Sequence, residues 1–595
     1  MLRELIKENF IKAVLMAGEK GELTGINPEN IEQLMIEKPK NTEFGDFAVN
    51  ISPLAKYAKI PPAKIAEIIC NYLDLKDIEL SIISGFINFK IKKELLNNCI
   101  KEIIVKNNDF GSNNIGNSEK VLLEYVSANP TGPLHIGHGR WAAVGSSLAN
   151  LLKFSGYNVF QEFYINDAGN QINNLGKSLW IRVLQELGEA ANFPEDEKEA
   201  KNYYPGDYLI EIAKEYLKNN AEKTAKLRGQ NPDSLLPSEE IVTEMSTFAK
   251  QLILEDQKRL LSLLGVNFDR WFPETSLHKT NEIKSALEKL KNSGKIYEKE
   301  EATWFKSSDF GDDQDRVIIK HDGNYTYLTA DIAYHYDKLE RGFERLINIW
   351  GADHHGYVAR IKAAIQALGK DSGCLEVLLG QLVNLIISGE QVRMGKRRKM
   401  VTLQELVDDV GVDGTRYWMI MRDINTTLDF DIELAKSCSD ENPVYYSQYA
   451  HARACSILRT AVSERPDQEN KQILPSKVTE QELKTLFDPN FFDIYKLNDL
   501  WKTGDLKELD STRMLILRLE SFDDILLNAA KSRAPYMIAR YIQDLAKDFH
   551  YFYTFTRVLN VNDDVMKARL VLIQATKQVL SNAFKLLGVS APEKM

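Results

Sequence analysis

Residues 127–140 read Ser-Ala-Asn-Pro-Thr-Gly-Pro-Leu-His-Ile-Gly-His-Gly-Arg, and this stretch decides the fold. The apolar run before it, residues 121–126, predicts a buried strand, and apolar residues at helical spacing over 141–153 predict a helix. A strand that turns through prolines and glycines into a helix has free backbone N–H groups at the helix start. Because these donors and the helix dipole attract polyphosphate, the stretch predicts chemistry at an ATP phosphate.

Two histidines in this stretch supply further donors. His135 and His138 are three residues apart and flank Gly137, where the absent side chain lets a nucleotide approach closely. A zinc-binding pair is the alternative, but no further Cys/His cluster in the sequence supplies the remaining ligands. We therefore expect both imidazoles to donate to the phosphates in the transition state.

The His-Ile-Gly-His core at 135–138 resembles the signature of class I aminoacyl-tRNA synthetases. The fuller string from Ser127 to His138 is similar to that of arginyl-tRNA synthetases. The resemblance covers essentially the whole chain. It implies a ligase that uses ATP to join L-arginine to tRNA(Arg) through an arginyl adenylate, with release of pyrophosphate and AMP. Mg²⁺ is implied as the partner of the ATP phosphates, and no dedicated metal site is visible in the sequence.

Length and composition fit a soluble protein of several domains. The 595 residues exceed one ordinary core, and 44% hydrophobic and 27% charged residues are typical of globular chains. No segment reaches the length of a membrane span, and the N-terminus fits neither a secretory signal nor a transit peptide. Five scattered cysteines without a Cys-x-x-Cys pair indicate a reducing compartment, so we expect a cytoplasmic protein. We also expect a monomer.

Charge is distributed unevenly along the chain. The net charge is −10, yet residues 530–595 carry ten Lys/Arg against five Asp/Glu. Local patches decide RNA binding, so this basic end is a candidate for contact with tRNA. A charge run of this kind is also typical of an ordinary solvated face.

Pattern changes divide the chain into three regions. Residues 1–118 predict an N-terminal α+β domain with helices over 2–18 and 61–72, a turn entering a helix at 43–50, a strand over 82–90 and a linker over 107–119. The resemblance implies that this domain contacts the tRNA elbow. A small packing domain is the alternative.

The remaining chain predicts a catalytic domain followed by helices. Residues 119–405 predict an α/β, Rossmann-like parallel-sheet domain with an insertion over about 190–275. A strand over 345–350 leads into Gly-Ala-Asp-His-His-Gly, a strand tip of the kind at which ligands lie. Residues 406–595 predict an all-α helical bundle, with helical periodicity over 445–463, 513–531, 535–559 and 565–587, and this region resembles an anticodon-binding domain.

A second cationic element is expected across the ATP site. Residues 392–403 read Val-Arg-Met-Gly-Lys-Arg-Arg-Lys-Met-Val-Thr-Leu and occupy the position of the family's Lys-Met-Ser-Lys-Ser loop. The match is imperfect, because Gly395 replaces a serine, Arg397 replaces another and the stretch is one residue short. Lys396 is our candidate for the pyrophosphate contact, although Arg397, Arg398 or Lys399 can share or take that role. A solvated basic turn or a direct tRNA contact is the alternative.

The resemblance also implies a complete set of ATP contacts. The residues expected at ATP are Pro133, His135, Gly137, His138, Gly139, Lys396 and Lys399, with His135, His138 and Lys396 as the catalytic residues.

Arginine recognition needs acids, because a guanidinium binds carboxylates through paired hydrogen bonds. Tyr327 and Asp331 are four residues apart, on one face if the segment is helical, and resemble the family's Tyr-x-x-x-Asp pocket. Glu274 matches a further acid of that pocket, Asn129 is expected at the α-amino or carboxylate group, and His355, like Asp353, lies at a strand tip near substrate or ribose. Helix capping is the alternative for Asp331 and Glu274.

Stacking on single-stranded bases needs aromatic side chains. Tyr446, Tyr449 and Arg453 are our candidates for tRNA binding, with core packing as an equal alternative. A cysteinyl-type synthetase is the nearest enzymatic rival, but it needs a zinc–thiolate site that the scattered cysteines do not provide. A non-catalytic tRNA-binding paralogue is the rival from another class, and its one basis is the divergent basic loop.

Overall fold

The computed structural model describes residues 2–225, apart from 28–29, 32–33, 35 and 40–41, and residues 237–392, 401–463, 479 and 494–595. Within these residues no helix has the length and apolar character to cross a membrane. The basic stretch 393–400, with Lys396 and Lys399, lies outside the described residues.

A five-stranded parallel sheet forms the centre of the molecule. Its order is Leu375–Gly380, Arg345–Gly351, Lys120–Glu124, Asn158–Ile165 and Arg270–Pro273. The middle strand is the one that precedes the 127–140 stretch, and it pairs in parallel with a neighbour on each side. Because the chain first builds toward one edge and later returns to the other, the topological switch point lies beside this strand. The expected Rossmann-like sheet is confirmed.

Helices and two small sheets complete the catalytic region. The helices are Ile136–Phe154, Asn170–Glu186, Glu197–Ala200, Tyr208–Asn219, Ala221–Ala225, Glu239–Leu263, Glu274–Lys279, Glu282–Asn292, Tyr327–Glu340, Val358–Ala367, Leu403–Val410 and Val412–Ile420. One small sheet is antiparallel and contains Ile296–Lys299, Ala302–Phe305 and Arg316–Ile319. The other contains Glu390–Val392, Val383–Ile387 and Leu428–Asp431, so strand structure continues beyond residue 405.

The helical insertion has its own apolar core. Buried Leu179, Leu209 and Met245 join the helices Asn170–Glu186, Tyr208–Asn219 and Glu239–Leu263. These helices follow the strand Asn158–Ile165 along the chain. The ends of the helices that are nearest the sheet therefore lie at the carboxyl ends of the parallel strands.

The N-terminal region is α+β as expected, but two local predictions were wrong. Its sheet is antiparallel, in the order Ile36–Glu37, Phe47–Asn50, Phe86–Ile91 and Ile78–Ile83, and its helices are Leu2–Glu19, Ala55–Ala58, Pro62–Tyr72 and Lys93–Lys106. Residues 47–50 form a strand instead of a helix start, because three of the four side chains are buried against the domain core. Residues 82–90 are a hairpin, since Ser84 and Gly85 turn the chain with φ of 50° and 82°.

The C-terminal region is helical. Its helices are Ile432–Lys436, Pro443–Ser463, Leu506–Glu520, Phe522–Ser532, Tyr536–Phe555 and Asp563–Leu587. The helical period over 513–531 continues across two helices, because the chain breaks at Ser521 and buried Phe522 starts a new helix.

One buried arginine joins the regions. Arg416 is 1% exposed and donates to the carbonyls of Leu264 (2.6 Å) and Leu587 (2.7 Å) and to the Ser146 hydroxyl (2.9 Å). These acceptors belong to the end of the insertion, the end of the last helix and the helix Ile136–Phe154. A single guanidinium therefore satisfies acceptors from three parts of the chain.

Candidate active site

A cleft of about 650 Å³ opens at the carboxyl ends of the parallel strands, beside the switch point. The floor of the cleft is formed by residues that follow the middle strand, Lys120–Glu124, and by the end of the neighbouring strand Arg345–Gly351. The lining residues are Glu124, Val126, Ser127, Ala128, Asn129, His138, Trp141, Tyr164, Asn166, Gln171, Glu274, Tyr327, Ala330, Asp331, Tyr334, His335, Ile349, Trp350, Gly351, Asp353, His354 and Tyr357. The sheet therefore brings His138, Asn129, Glu274, Tyr327 and Asp331 into one cavity.

The floor of the cleft contains strained backbone. Val126 and Ser127 have φ of 68° and 40°, a region that costs a non-glycine residue roughly 1–3 kcal/mol. The Ser127 hydroxyl donates to Glu124 (3.0 Å) and accepts from the N–H of Tyr164 (3.1 Å). These bonds hold the turn in place, so the motif leaves the middle strand at a fixed angle.

The two histidines cap the helix Ile136–Phe154. The N–H of Gly137 donates to His135 Nδ1 (3.1 Å), and the N–H of His135 donates to His138 Nδ1 (3.3 Å). The rings stack with their centres 3.6 Å apart. Because both Nδ1 atoms accept, each neutral ring has its proton on Nε2. The pair therefore offers two N–H donors that backbone contacts have already oriented.

Both imidazoles are neutral near pH 7. Burial lowers the pKa of His135, and burial together with the neighbouring His135 ring lowers the pKa of His138 well below its usual value. A neutral donor can hydrogen bond to an anionic ligand without forming an ion pair with it. Of the two histidines, His138 is the one among the described lining residues of the cleft. The ring of His135 stacks against it.

The glycines of the motif serve packing. A Cβ on Gly137 would lie 3.0 Å from the His135 ring, and one on Gly139 would lie 2.5 Å from Leu403. Gly139 is buried, and Pro133 is half-buried ahead of the histidine pair. None of these three residues is among the described lining residues of the cleft, and they form the turn that precedes and starts the histidine helix.

Asp331 lies on the helix Tyr327–Glu340, one turn after Tyr327, as its spacing predicted. The hydroxyl of Tyr357 donates to Asp331 Oδ2 (2.6 Å). Burial raises the pKa of Asp331 to about 7, although the Tyr357 hydrogen bond acts in the opposite direction. Tyr327 is 69% exposed and starts the helix at the rim of the cleft. Among the residues that the structure describes, none forms an ion pair with this desolvated carboxylate, so a cationic substrate can supply that partner.

Glu274 is the second acid at this end of the cleft. It is 6% exposed at the start of the helix Glu274–Lys279. Burial raises its pKa, whereas a hydrogen bond with Tyr164 and the His278 imidazole, 3.8 Å away, oppose that rise. Capping of its own helix does not account for such burial, because the side chain points into the cleft.

The cleft is acidic. Its lining includes Glu124, Glu274, Asp331 and Asp353, and among the described lining residues there is no lysine or arginine. Buried Lys338 lies below the lining, where it donates to Glu124 (2.5 Å). Among the described residues no lysine or arginine forms an ion pair with the other three acids, which favours a cationic ligand.

Two further candidates at the rim take different positions. Asn129 lines the cleft and donates to Gln171 (3.0 Å). His355 is exposed and is not among the described lining residues, whereas its neighbour His354 is and lies 3.7 Å from Asp353. Sequence reasoning also missed Tyr357, although the string Asp-His-His-Gly-Tyr directly follows the strand and was a usable signal.

The chain that follows the basic stretch is attached to the histidine motif. The N–H of Leu403 donates to the carbonyl of Leu134 (2.8 Å), and Thr402 forms an isolated bridge with His135. Thr402 and Glu405 cap each other at the start of the helix Leu403–Val410. Thr402 and Leu403, which follow the basic stretch in the sequence, therefore lie beside the histidine motif.

Aromatic residues and an arginine form a cluster on the C-terminal helices. Arg453 donates to the Tyr449 hydroxyl (2.8 Å) and lies over the rings of Tyr449 and Tyr553 at 4.5 and 5.2 Å. Tyr446 packs edge-on against His550 with ring centres 4.8 Å apart. Tyr553 is 41% exposed, so the cluster offers an aromatic face to solvent.

Comparison with known protein families agrees with this site. Family models match over three segments: "tRNA synthetases class I (R), catalytic domain" over 99–422, "Arginyl tRNA synthetase N terminal domain" over 1–91 and "DALR anticodon binding domain" over 494–595. The parallel sheet, the histidine pair and these matches place the chain among the class I aminoacyl-tRNA synthetases.

Individual relatives narrow this class. An arginine–tRNA ligase of Bacillus subtilis is 42% identical, with 100% of this chain and 99% of the relative covered. One of Geobacillus kaustophilus is 43% identical at the same coverage. The solved arginyl-tRNA synthetase of Thermus thermophilus has the same fold, with a TM-score of 0.71, 22% identity and 100% of both chains covered. The chain belongs to the arginyl-tRNA synthetase family.

Proposed function

We propose that this chain charges tRNA(Arg) with L-arginine in two steps within the cleft. The arginine carboxylate attacks the α-phosphorus of ATP, and the α–β phosphoanhydride bond breaks to release pyrophosphate. A ribose hydroxyl at the end of the tRNA then attacks the adenylate carbonyl and releases AMP. The observation that carries this proposal is that one cavity contains both a preorganised imidazole donor, His138, and the desolvated acid Asp331.

The phosphate end of the cleft belongs to the histidine motif. His135 and His138 present Nε2–H donors to the triphosphate, and Pro133, Gly137 and Gly139 shape the turn that orients them. Lys396 and Lys399 follow as candidates for the pyrophosphate contact, because Val401 and Leu403 return to the motif immediately after them. Charge builds up on the leaving group, so the main task of these groups is electrostatic stabilisation.

The acids belong to the arginine end. Asp331 and Glu274 receive the guanidinium, Tyr327 covers it at the rim, and Asn129 holds the α-amino or carboxylate group. His355 and its neighbour His354 are placed near the substrate or the ribose. Ornithine and citrulline leave these buried acids poorly paired, and polar mismatches of this kind can give discrimination of about 10⁴ without editing.

The flanking regions serve the tRNA. Residues 1–118 contact its elbow, and residues 406–595 read the anticodon through the cluster of Tyr446, Tyr449 and Arg453. In this family arginine activation is expected to need bound tRNA. We propose that Mg²⁺ binds with ATP, through the phosphates. We propose a cytoplasmic monomer.

The test is ATP–pyrophosphate exchange with each amino acid, with and without tRNA. We expect exchange with arginine only, and only when tRNA is present. Exchange with another amino acid would reject the specificity, and no exchange or charging under any condition would favour a non-catalytic paralogue. Separate alanine variants of Lys396 and Lys399 then identify which lysine assists pyrophosphate release.

A further inference from the structure

The longest helix of the insertion, Glu239–Leu263, directs two polar side chains at the walls of the cleft. Lys250 and Gln257 are seven residues apart, two turns of helix, and therefore lie on the same face. Neither residue is among the described lining residues. Each instead hydrogen bonds to a segment that carries a lining residue.

Lys250 is connected to the helix turn that carries Glu274 through one intermediate residue, Asp167. Its Nζ atom donates to Asp167 Oδ2 (3.0 Å), and Asp167 is 7% exposed. The same carboxylate accepts from the backbone N–H (2.9 Å) and the hydroxyl (3.1 Å) of Thr275. Because Thr275 directly follows Glu274, Asp167 fixes the first turn of the helix that presents this acid to the cleft.

Gln257 holds the loop that carries Asn129. Its side chain is 1% exposed, and its Nε2 atom donates to the carbonyls of Asn129 (3.2 Å) and Gly132 (3.0 Å). Tyr208, on the preceding insertion helix, donates to the carbonyl between them, at Thr131 (2.5 Å). Three carbonyls of a four-residue stretch therefore accept hydrogen bonds from the insertion.

We infer that the insertion helix is a positioning element for arginine, with Lys250 orienting Glu274 through Asp167 and Gln257 orienting Asn129. This inference rests on the proposed function, because Glu274 and Asn129 are there the groups that bind the two ends of the substrate. Neither Lys250 nor Gln257 touches arginine. A misplacement of about 1 Å at a binding group can cost on the order of 100-fold, so such indirect support is measurable.

The test compares Lys250→Met and Gln257→Leu with matched changes on the same helix. Lys258→Met and Gln251→Leu make the same chemical replacements at exposed positions. Arginine KM, ATP KM and kcat are measured for tRNA charging, together with the melting temperature. We expect each inward-facing variant to raise arginine KM about 10-fold or more, with ATP KM within twofold of wild type and the controls unchanged.

Two further variants separate positioning from folding. Lys250→Arg keeps the ion pair with Asp167 and is expected to restore most of the arginine KM. Thr275→Val removes one of the two hydrogen bonds that Thr275 gives to Asp167 and is expected to raise arginine KM without touching the insertion. An unchanged arginine KM in both inward-facing variants, or a parallel loss of ATP and arginine affinity, would overturn the inference. If the wild-type protein does not charge arginine, the proposed function itself fails, which is a distinct result.

Discussion

Neutral imidazoles and desolvated carboxylates divide the cleft between its two substrates. His138 offers a hydrogen-bond donor without a charge, whereas Asp331 and Glu274 offer carboxylates that can pair with a cation. The first environment suits a developing oxyanion, and the second suits a guanidinium. Single substitutions are therefore expected to separate the catalytic step from arginine affinity.

Replacing His138 by alanine removes one oriented donor from the phosphate end. We expect arginine-dependent pyrophosphate exchange to fall by about 10²–10³-fold, the usual effect of losing such a donor. tRNA binding, followed by filter retention, is expected to stay unchanged. His321→Ala, at an exposed turn, is the control, and wild-type exchange in His138→Ala would remove this histidine from catalysis.

Asp331→Asn keeps the shape of the side chain but removes the charge that the guanidinium needs. We expect arginine KM to rise about 100-fold, as when one partner of a buried charged pair is lost. Steady-state charging assays measure the change. Glu340→Gln on the same helix is the control, since its salt bridge with Lys370 is exposed. A normal arginine KM would place the guanidinium elsewhere.

The raised pKa of Asp331 also predicts a pH dependence. Its folded-state pKa is about 7, above the ordinary value of 3.8, so the stability that its protonated form provides is full below pH 3.8 and is lost as pH rises through 7. Without arginine, Asp331→Asn is therefore expected to melt about 2 °C above wild type at pH 8, with a smaller difference at pH 5. A melting difference independent of pH would contradict this assignment.

Sequence reasoning found Asp331 and His138 because each belongs to a string with a chemical reason for its spacing. It did not find Asp167 or Tyr357, because their partners are distant in sequence: Lys250 is 83 residues from Asp167, and Asp331 is 26 residues from Tyr357. His354 lines the cleft and the adjacent His355 does not, a difference in side-chain direction that composition does not reveal.

Packing of the core fixes the position of the helix Ile136–Phe154 and therefore the position of the histidines at its start. Gly145 lies against the ring of fully buried Tyr125, and a Cβ there would overlap that ring. The Tyr125 hydroxyl also donates to Gln161 (2.8 Å), so the ring has little freedom to move. The position of the helix therefore depends on a residue that has no part in the chemistry.

Gly145→Ala is expected to destabilise the chain by about 1–3 kcal/mol, because overpacking forces the helix away from Tyr125. Thermal and urea unfolding measure the change. Gly504→Ala is the control, since a Cβ at Gly504 meets no other atom within 4 Å. Unchanged stability in Gly145→Ala would show that the helix can shift at no cost.

At the level of elements, strands and helices with a clear apolar period were predictable, and turns were not. The stretch 82–90 alternates along its whole length, and only the conformation of Ser84 and Gly85 reveals a hairpin. The break at Ser521 is similar, because the apolar residues on both sides keep a helical period. Tertiary packing decided both cases.

At the scale of the whole molecule, the regions share a core. One hydrophobic cluster contains Ile100, Leu148 and Leu580, from the N-terminal, catalytic and C-terminal regions. Arg416 adds polar connections between the insertion, the histidine helix and the last helix. Contacts of this kind depend on pairs hundreds of residues apart, which explains why the packing between the regions could not be predicted from sequence.

Arg416→Met leaves the buried carbonyl of Leu264 without its guanidinium donor, and it leaves the carbonyl of Leu587 with the Ser147 hydroxyl (3.1 Å) as its remaining side-chain donor. We expect a loss of about 3 kcal/mol, the usual cost of such unpaired groups. Urea unfolding measures the free energy, and limited proteolysis reports whether the last helix detaches first. Arg422→Met, at an exposed position shortly after the same helix, is the comparison. An unchanged urea midpoint would show that Arg416 does not hold the regions together.

The hydrogen bond from Leu403 to Leu134 fixes the chain that follows residues 393–400 beside the imidazoles. Because this anchor and the helix cap at Thr402 both lie after Val401, we expect insertions and deletions between Val392 and Val401 to leave the cap unchanged. A library of grafted segments could be exchanged between Val392 and Val401 while the chemistry around them is kept constant.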